Sequence, residues 1–480
     1  MKKATIASLM IGLICSQSIA QSRAQLAPPL RQFVSVDSPV VVLKHVRVID
    51  GTGAAPQSDR TIILENGKIK SVGDSSTPAP EGAKVLDLQG YTVIPGLVGM
   101  HEHMFYPAPR GNPAMYPEHS TSFPRLYLAG GVTTMRTTGS VEPYSDLWIK
   151  HAIEAGSMVG PKIHVTGPYL EGSPSYTPQM HELTGAEDAR RTVEYWEAEG
   201  ATSFKAYMHI TPDELAAAVK AAHARGIKVT GHLCSIGFKQ AAAIGIDDLE
   251  HGLVVDTEFF SGKQPDRCPN TQAAETEMAR KLDISGPAVQ GMIKDLVAHS
   301  VAVTSTLPVF ETFVPNRGPD SARVLDAMTP EARISYLTTR ATISDHAAES
   351  IWPALFKKEM QFEHDFVKAG GLLLAGLDPT GYGGVIAGFG DQREVILLVE
   401  AGFTPVEAIQ IATANGAKFL GELDKIGTIE PGKDADLVVI HGNPAENIAD
   451  IEKVETVFKD GVGYDSQKLI DSVKGLVGER

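Results

Sequence analysis

Residues 93–103 read Val93-Ile94-Pro95-Gly96-Leu97-Val98-Gly99-Met100-His101-Glu102-His103, an apolar run that ends in two histidines. Side chains on a β-strand alternate between its two faces, so His101 and His103 point the same way and Glu102 points the opposite way. Two imidazoles on one face at the end of a strand can hold one cation. A single His-x-His pair is weak evidence, so its meaning depends on whether further metal-type residues end later strands.

The residues that follow this run predict a barrel. Short apolar runs alternate with helical segments, and eight can be counted: Val93–Leu97, Val132–Thr137, Lys162–Thr166, Ser203–Tyr207, Lys228–Gly231, Asp247–Glu250, Val301–Thr306 and Leu372–Gly376. Strands that alternate with helices are typical of parallel sheets, and eight such units predict an α/β fold with a (β/α)8 TIM barrel over residues 93–425. A doubly wound open sheet is the alternative, but it would gather its ligands at one switch point.

Helix start signals support these units. Thr211-Pro-Asp-Glu214 and Thr404-Pro-Val-Glu407 each place a threonine before a proline, with a glutamate three residues after the threonine. This is the pattern of a capping box with proline at the first helical position. Thr184-Gly-Ala-Glu187 predicts a third capping box.

Short β-like runs flank the barrel segment on both sides. Within residues 38–92 they are separated by turn pairs, of which Asn66-Gly67 is the strongest hairpin signal. A related pattern returns in residues 426–465, where a turn-rich stretch leads into Leu437-Val-Val-Ile440. These two segments together predict one small β-sandwich domain, with the barrel inserted between them.

Residues 1–20 have the pattern of a signal peptide. Lys2 and Lys3 form a positive start, an apolar stretch follows, and Ser18-Ile19-Ala20 offers a cleavage site between small residues. The apolar stretch is shorter than the roughly 20 residues of a membrane span, and no later run approaches that length. We therefore expect an exported protein, periplasmic or secreted, without stable membrane insertion.

Charge and cysteine content exclude some classes of partner. The formal net charge of −15 argues against nucleic acid and anionic lipid, which need basic patches. Without the predicted signal peptide only Cys234 and Cys268 remain, which is too few for a disulfide framework. They could pair after export, but Cys234 lies two residues after the candidate ligand His232, which favours a free thiol.

Candidate ligands stand at the ends of the first, fourth, fifth, sixth and eighth predicted strands. They are His101 and His103, then Lys205, His232, His251 and Asp378. In this order they resemble the metal-binding set of the amidohydrolase superfamily, and residues 427–437 are similar to the C-terminal return of that superfamily. Phe204-Lys-Ala-Tyr-Met208 is similar to the lysine motif of hydantoinases and dihydroorotases. The overall layout resembles the imidazolonepropionase-like and prolidase-like branch.

The resemblance implies a centre of two divalent ions. His101, His103 and Asp378 would hold one ion, and His232 with His251 would hold the other. Imidazole and carboxylate suit zinc and several neighbouring metals, and we expect zinc. An ammonium at Lys205 would repel both ions. The resemblance therefore implies that Lys205 is N6-carboxylated and bridges them, while Asp378 is the general base for a metal-activated hydroxide.

Long loops after the strands should set selectivity. Residues 104–125, 167–184 and 307–350 carry aromatic side chains with an occasional arginine, among them Tyr106, Arg110, Tyr116, Tyr169, Tyr176, Phe310, Phe313 and Arg317. Tyr207 follows Lys205 by two residues on the same strand face and is a candidate substrate contact. Such a surface suits an apolar side chain plus a carboxylate, as in a dipeptide or an N-acyl amino acid.

The sequence thus predicts an exported, metal-dependent amidohydrolase that cleaves the C–N amide bond of a dipeptide or an N-acyl amino acid. Two alternatives remain. One is a cyclic-amide hydrolase of the hydantoinase or imidazolonepropionase type, and the other is a metal-binding protein that has lost catalysis. The expected partner is a small-molecule amide, and analogy with the superfamily also favours a homo-oligomer.

Overall fold

The computed structural model describes residues 25–108, 115–318 and 321–478. The predicted signal peptide at residues 1–20 lies outside these ranges. Within them, no helix combines the length and the apolar character needed to cross a bilayer.

The structure contains long antiparallel strands near the two ends of the chain and short parallel strands between them. The strands are β1 Val34–Val36, β2 Val40–Val48, β3 Gln57–Glu65, β4 Lys68–Asp74, β5 Lys84–Asp87, β6 Tyr91–Pro95, β7 Leu97–Glu102, β8 Val132–Thr137, β9 Lys162–His164, β10 Ser203–Ala206, β11 Lys228–Gly231, β12 Asp248–Glu250, β13 Ala302–Ser305, β14 Leu373–Ala375, β15 Leu437–His441, β16 Val454–Lys459 and β17 Val462–Asp465.

Helices separate the parallel strands and pack around them. They are α1 Ser122–Gly130, α2 Pro143–Glu154, α3 Ala186–Glu199, α4 Pro212–His223, α5 Phe238–Ile244, α6 Thr271–Lys281, α7 Pro287–Ala298, α8 Leu307–Glu311, α9 Ala322–Ala327, α10 Pro330–Asp345, α11 Trp352–Lys368, α12 Phe389–Glu400, α13 Pro405–Gln410, α14 Gly416–Leu420 and α15 Ser466–Asp471. A single π-helical turn, Ile411–Asn415, joins α13 to α14.

The N-terminal and C-terminal segments share one sheet. Its strand order is β1-β17-β16-β15-β6-β2-β3-β4, and β5 pairs with β2. β15 pairs antiparallel with β6, so Val438 lies opposite Ile94. Buried residues of this sheet, such as Leu43, Ile62 and Phe458, form a separate hydrophobic core. The β-rich domain is therefore composite, with its strands hydrogen-bonded into one continuous sheet that also includes β1.

The predicted hairpin at Asn66-Gly67 joins β3 to β4. Both residues adopt the left-handed backbone conformation, with φ of 52° and 82°. This conformation matches the twist of a tight hairpin and is accessible to asparagine and glycine at low cost.

The first parallel strand lies later in the chain than predicted. The expected run Val93–Leu97 divides at Gly96, because β6 belongs to the β domain and β7 pairs with β8. The Gly96 N–H donates to the Asp436 carbonyl, whereas the N–H of the next residue, Leu97, donates to the Gly131 carbonyl. The chain thus changes hydrogen-bonding partner within one apolar run.

The parallel strands form two ladders. β7 to β9 make a three-stranded sheet and β10 to β14 a five-stranded sheet, each in sequence order. Thr166 forms a bridge with Ser203 where the ladders meet, and the Asp378 N–H donates to the His101 carbonyl at the other seam, at 3.1 Å. The strands therefore follow the order of a (β/α)8 barrel, and the second seam joins two candidate ligands.

One glycine allows the close approach at this second seam. A Cβ atom at Gly376 would lie 2.3 Å from the Cβ atom of His101. Any side chain at this position would therefore push the residue that follows β14 away from β7.

Two of the three predicted capping boxes are present. The side chains of Thr211 and Thr404 accept from the backbone N–H of Glu214 and Glu407, which confirms those helix starts. The third is wrong, because α3 begins at Ala186 after a glycine with φ of 125°, and its cap makes no side-chain hydrogen bond. The positive φ at Gly185 places the N-cap one residue later than the predicted cap at Thr184.

The expectation of a free thiol at Cys234 is also wrong. Cys234 and Cys268 form a disulfide, and their Cα atoms are 4.8 Å apart. The segment between β12 and α6 folds back over the end of β11, where Thr257 Oγ1 and Lys263 Nζ donate to the Cys234 carbonyl at 2.7 and 2.6 Å. This fold-back brings Cys268 within reach.

Candidate metal centre

The six predicted ligands converge at the carboxyl-terminal ends of the parallel strands. His101 and Lys205 lie in β7 and β10, and the remaining ligands follow the ends of β7, β11, β12 and β14. All six residues, His101, His103, Lys205, His232, His251 and Asp378, are buried or nearly so. The side chains are therefore held by packed strand ends and not by long loops.

Three of the ligands form a compact group. Single ligand atoms of His101, His103 and Asp378 all lie within 4.8 Å of one another. The Nε2 atoms of His101 and His103 are 3.8 and 3.6 Å from the Asp378 carboxylate oxygens. Asp378 Oδ1 is buried and has no hydrogen-bond partner among the described residues. This donor set fits a divalent cation, which would complete the environment of that oxygen.

The other three ligands lie beside this group. Lys205 Nζ is 3.1 Å from His101 Nε2, and His251 Nδ1 is 3.8 Å from Asp378 Oδ2. The rings of His232 and His251 are 4.6 Å apart, and those of His101 and His251 are 4.4 Å apart. The six side chains thus form one continuous cluster, with Lys205 next to His101.

Hydrogen bonds fix the orientation of two imidazoles. His101 Nδ1 donates to Glu250 Oε2 at 2.8 Å, and His103 Nδ1 donates to the Gly139 carbonyl at 3.2 Å. These bonds leave the Nε2 atoms of both rings facing Asp378 as acceptors. An imidazole with one nitrogen donating to a carboxylate or carbonyl is the usual form of a histidine ligand.

Sequence reasoning missed the residues behind Glu250. Arg136 Nη2 donates to Glu250 Oε1 at 2.9 Å and to Asp248 Oδ2 at 3.1 Å, and Thr304 Oγ1 also donates to Asp248 Oδ2 at 2.7 Å. All four side chains are buried. The available signal was an arginine inside an apolar strand and two acids on alternate positions of β12. Arg136 and Asp248 together fix the position of Glu250, which in turn orients the His101 ring.

Burial sets the protonation of the ligands. It lowers the pKa of His232 to about 3 and the pKa values of His101, His103 and His251 well below their usual range. These imidazoles are therefore neutral, as ligands must be. Burial also raises the pKa of Asp378 to about 6, against the opposing effect of the nearby Lys205 ammonium.

Burial lowers the pKa of Lys205 to about 8, despite the opposing charges of Glu250 and Asp378. About one tenth of this side chain is therefore a neutral amine at pH 7, far more than for an ordinary lysine. Only the neutral amine can react with carbon dioxide, so the environment fits the carboxylated form implied by the resemblance.

Two ligands have an unusual backbone conformation. Asp378 and His251 have φ of 51° and 71°, in the left-handed region that non-glycine residues seldom adopt. Such a conformation costs on the order of 1–3 kcal/mol and persists only where the surroundings enforce it. It turns the chain at the ends of β12 and β14, where both side chains join the cluster.

The cluster opens into a cavity of about 800 Å³. Tyr207 lines it, with its ring 4.9 Å from that of His232 and 4.8 Å from that of Tyr169. Of the aromatic loop residues, Tyr116, Tyr169, Tyr176, Phe310 and Phe313 also line the cavity. Aromatic rings therefore supply much of its wall.

Two loop residues named from the sequence, Tyr106 and Arg317, lie away from the cavity lining. Tyr106 does not line the cavity, and its hydroxyl accepts from the Gly384 N–H at 2.8 Å. Arg317 pairs with Glu311 at 3.1 Å and with Glu400, away from the cavity. Arg110 lies outside the described residues. Arg317 is thus engaged by carboxylates of the protein itself and is not available to bind a substrate carboxylate.

Curated proteins match parts of the chain. An imidazolonepropionase from Nocardia farcinica is 27% identical over 288 residues, which is 56% of this chain and 67% of that protein. A dihydroorotase from Syntrophus aciditrophicus is 34% identical over 107 residues, 22% of this chain. The matched stretch spans only 24% of the length of that dihydroorotase.

Solved structures match over a larger part of the chain at lower identity. A Xaa-Pro dipeptidase with bound methionine has a TM-score of 0.65 and 22% identity, covering 89% of this chain and 100% of that chain. A bottromycin amidohydrolase has a TM-score of 0.67 and 21% identity, covering 94% of this chain and 95% of that chain. These similarities show the fold.

A family model matches residues 92–262 and 324–463, which include all six candidate ligands. The model describes the amidohydrolase family. The matched residues make up more than half of the chain, in agreement with the order of strands and the clustered ligands. The chain belongs to the amidohydrolase family.

Proposed function

We propose that this protein is a metal-dependent hydrolase that cleaves the C–N amide bond of a dipeptide or an N-acyl amino acid. Its family is one of hydrolases that act on C–N bonds. The observation that carries the proposal is the buried group of His101, His103 and Asp378 at the end of an aromatic cavity. The complete ligand set argues against a protein that has lost catalysis.

The residues present fit two divalent ions, and we expect zinc. His101, His103 and Asp378 would hold one ion, and His232 with His251 would hold the other. N6-carboxylated Lys205 would contact both. A bound divalent ion supplies a nucleophile at neutral pH by lowering the pKa of water, and it polarises the substrate carbonyl.

The side chains of the protein supply the proton transfers and the positioning. Asp378, whose pKa burial raises to about 6, can accept a proton from the attacking water and return it to the leaving nitrogen. Tyr207 lies over His232 and can orient the substrate carbonyl through its hydroxyl group. The aromatic wall excludes water, which strengthens each electrostatic contact inside.

The proposed substrate class follows from the cavity and agrees with the names of similar structures. Aromatic side chains suit an apolar amino-acid side chain next to the amide. Two of the similar structures are a Xaa-Pro dipeptidase and a prolidase complexed with N-methylphosphonate-L-proline. A cyclic-amide hydrolase is the second candidate, supported by the imidazolonepropionase match over 56% of this chain.

We also propose that the protein is exported and that it forms a homo-oligomer. The disulfide between Cys234 and Cys268 supports export, because such bonds persist in oxidising compartments. The signal-peptide pattern of residues 1–20 points the same way. The homo-oligomer rests on analogy within the family.

The test combines metal analysis with hydrolysis assays on the purified protein. We expect about two ions per chain and loss of activity on chelation, with recovery on adding metal back. His101→Ala and Asp378→Ala should each lower hydrolysis at least about a thousandfold, while the circular dichroism spectrum stays unchanged. His346→Ala, which changes an exposed histidine in the same protein, is the control. Full activity in Asp378→Ala would overturn the proposed site.

A further inference from the structure

One wall of the cavity is a helix with a carboxylate that the proposed mechanism does not use. Helix α6, Thr271–Lys281, contributes seven residues to the cavity lining: Thr271, Gln272, Ala274, Glu275, Thr276, Met278 and Arg280. Ala274 and Met278 are buried against the rest of the protein, whereas Glu275 is half-buried at the cavity surface. Glu349 also lines the cavity but is exposed, so Glu275 is the half-buried glutamate of the lining.

Glu275 has no hydrogen bond and no ion pair with another residue in the part of the chain that the structure describes. Burial by itself raises the pKa of its carboxyl group to about 7, with no contribution from a neighbouring charge. The protein therefore partly desolvates this carboxylate without supplying a counter-charge. A cation from outside the protein would compensate for that cost.

The neighbouring charged residues on helix α6 do not combine a position in the cavity lining with a half-buried, unpaired carboxylate, as Glu275 does. Glu277 lies two residues further on, outside the cavity lining, where it accepts from Ser261 Oγ at 2.9 Å and lies near Lys281. Arg280 is five residues after Glu275, outside the spacing of three or four that pairs side chains on a helix. No salt bridge links Arg280 to Glu275 among the described residues.

We propose that Glu275 binds a positively charged group of the substrate. This inference rests on the proposed amide-hydrolase function and narrows its substrate class. A dipeptide has a free amino group and can also carry a basic side chain, whereas an N-acyl amino acid with an apolar side chain has no cation. Glu275 therefore selects peptides with an ammonium or guanidinium group over N-acylated amino acids.

The test uses ligands that the enzyme cannot hydrolyse, so that binding is measured separately from turnover. Ketomethylene dipeptide isosteres would be prepared with a free amino end and with an acetylated amino end. Each form would carry either an apolar or a basic second side chain. Calorimetry would give the affinity of each for the metal-loaded wild type, Glu275→Gln and Glu277→Gln. The last variant makes the same change on the same helix outside the cavity.

We expect the wild type to bind a cationic isostere about tenfold or more tightly than its uncharged counterpart. Glu275→Gln should lose this preference, and Glu277→Gln should keep it. If only the basic side chain confers the preference, the cation is that side chain; if the free amino end confers it, the cation is the α-ammonium group. Equal affinity for charged and uncharged forms in the wild type would overturn the inference, as would a preference that survives in Glu275→Gln.

Hydrolysis of the matching true peptides distinguishes a failure of this inference from a failure of the proposed function. If the enzyme hydrolyses amides and Glu275→Gln keeps the preference for cationic substrates, the role of Glu275 is rejected and the hydrolase function stands. Absence of turnover for every amide rejects the proposed function itself.

Discussion

Among the described residues, two groups of three side chains have the spacing of metal ligands, and they differ in whether a lysine lies between the three side chains. His101, His103 and Asp378 form one group, at the ends of the parallel strands. Asp434, Asp436 and Asp460 form the other, in the β domain. In the second group, Lys162 Nζ lies 2.9, 2.9 and 2.8 Å from the three carboxylates, so a lysine already supplies the cation.

The lysine beside each group has a pKa shifted in the opposite direction. At Lys162, the surrounding carboxylates outweigh the lowering effect of burial and raise the pKa above its ordinary value. At Lys205, burial dominates and lowers the pKa to about 8. The first lysine is a permanent ammonium that ties β9 to the β domain. The second is a reactive amine next to neutral imidazoles.

Ligand geometry alone therefore does not identify a metal centre. The acidic group satisfies its charges within the protein, whereas the histidine group leaves Asp378 Oδ1 without a partner among the described residues. The histidine group therefore differs from the acidic group in having a buried carboxylate oxygen that a bound cation would contact.

Of the changes that test this comparison of the two lysines, replacement of Lys205 should have the largest effect on hydrolysis. Lys205→Ala should lower hydrolysis more than about a hundredfold. Short carboxylic acids should restore part of that activity, because they could take the place of the proposed N6-carboxylated side chain as a metal ligand. Steady-state rates with and without added acetate or propionate would show this. An unchanged rate in Lys205→Ala would exclude a bridging role.

Lys162→Met is the matched variant for the second group. It removes the cation that the three carboxylates share, so that Asp434 keeps Lys68 as its lysine partner, and it should destabilise the fold by roughly 3 kcal/mol, as expected for a broken buried ion pair. Urea denaturation would measure the loss. The hydrolysis rate of Lys162→Met at low temperature should equal that of the wild type, and added acetate should not change this rate. Rescue of this variant by acetate would remove the distinction between the two lysines.

An intermediate effect is expected from the carboxylate behind His101. Glu250→Gln keeps the shape of the side chain but removes the charge that orients the His101 ring and pairs with Arg136. We expect metal affinity to fall about 10–100-fold. Competition with a chelator of known affinity would give the value. Asp436→Asn, which changes a buried acid of the other group, should leave metal affinity unchanged.

The smallest expected effect is a dependence of metal affinity on pH. Metal binds the ionised form of Asp378, so protons compete with the metal once the pH falls through the pKa of about 6. Titration of Asp378 should therefore lower metal affinity about fivefold as the pH drops from 6 to 5, because the ionised fraction of its carboxyl group falls from about one half to about one tenth. The histidines add no protons in this range, because burial holds the pKa of His232 near 3 and lowers those of the other three well below their usual range.

Affinity measured at several pH values, by the same chelator competition, would give the number of protons. A fall much steeper than about fivefold between pH 6 and 5 would mean that Lys205 or the imidazoles also lose protons when metal binds in this range. Asp378→Asn should bind metal more weakly at every pH and lose the part of the pH dependence that comes from Asp378.

The sequence predicts the candidate site well because strand ends are local features. Each ligand follows a short apolar run, and the order of those runs along the chain is also their order in the sheets. The strand Val132–Thr137 has the predicted bounds. These are properties of periodicity and short-range spacing, which a single sequence contains.

The features that sequence reasoning missed depend on distant partners. The division of the apolar run at Gly96 reflects a change of hydrogen-bonding partner from Asp436 to Gly131, far apart in the chain. Pairing of Cys234 with Cys268 depends on a fold-back of the segment between them. Neither the change of partner nor the fold-back has a local signature, so periodicity alone cannot predict them.

The disulfide has a consequence for how the protein should be produced. Cys234 lies two residues after His232, and Cys268 lies three residues before α6, the helix that carries Glu275. The bond is thus a covalent link between the end of a ligand-bearing strand and the cavity wall. In a reducing cytoplasm the chain would lack this link. Preparations for substrate profiling should therefore come from an oxidising expression host, with the thiol content checked before any selectivity is measured.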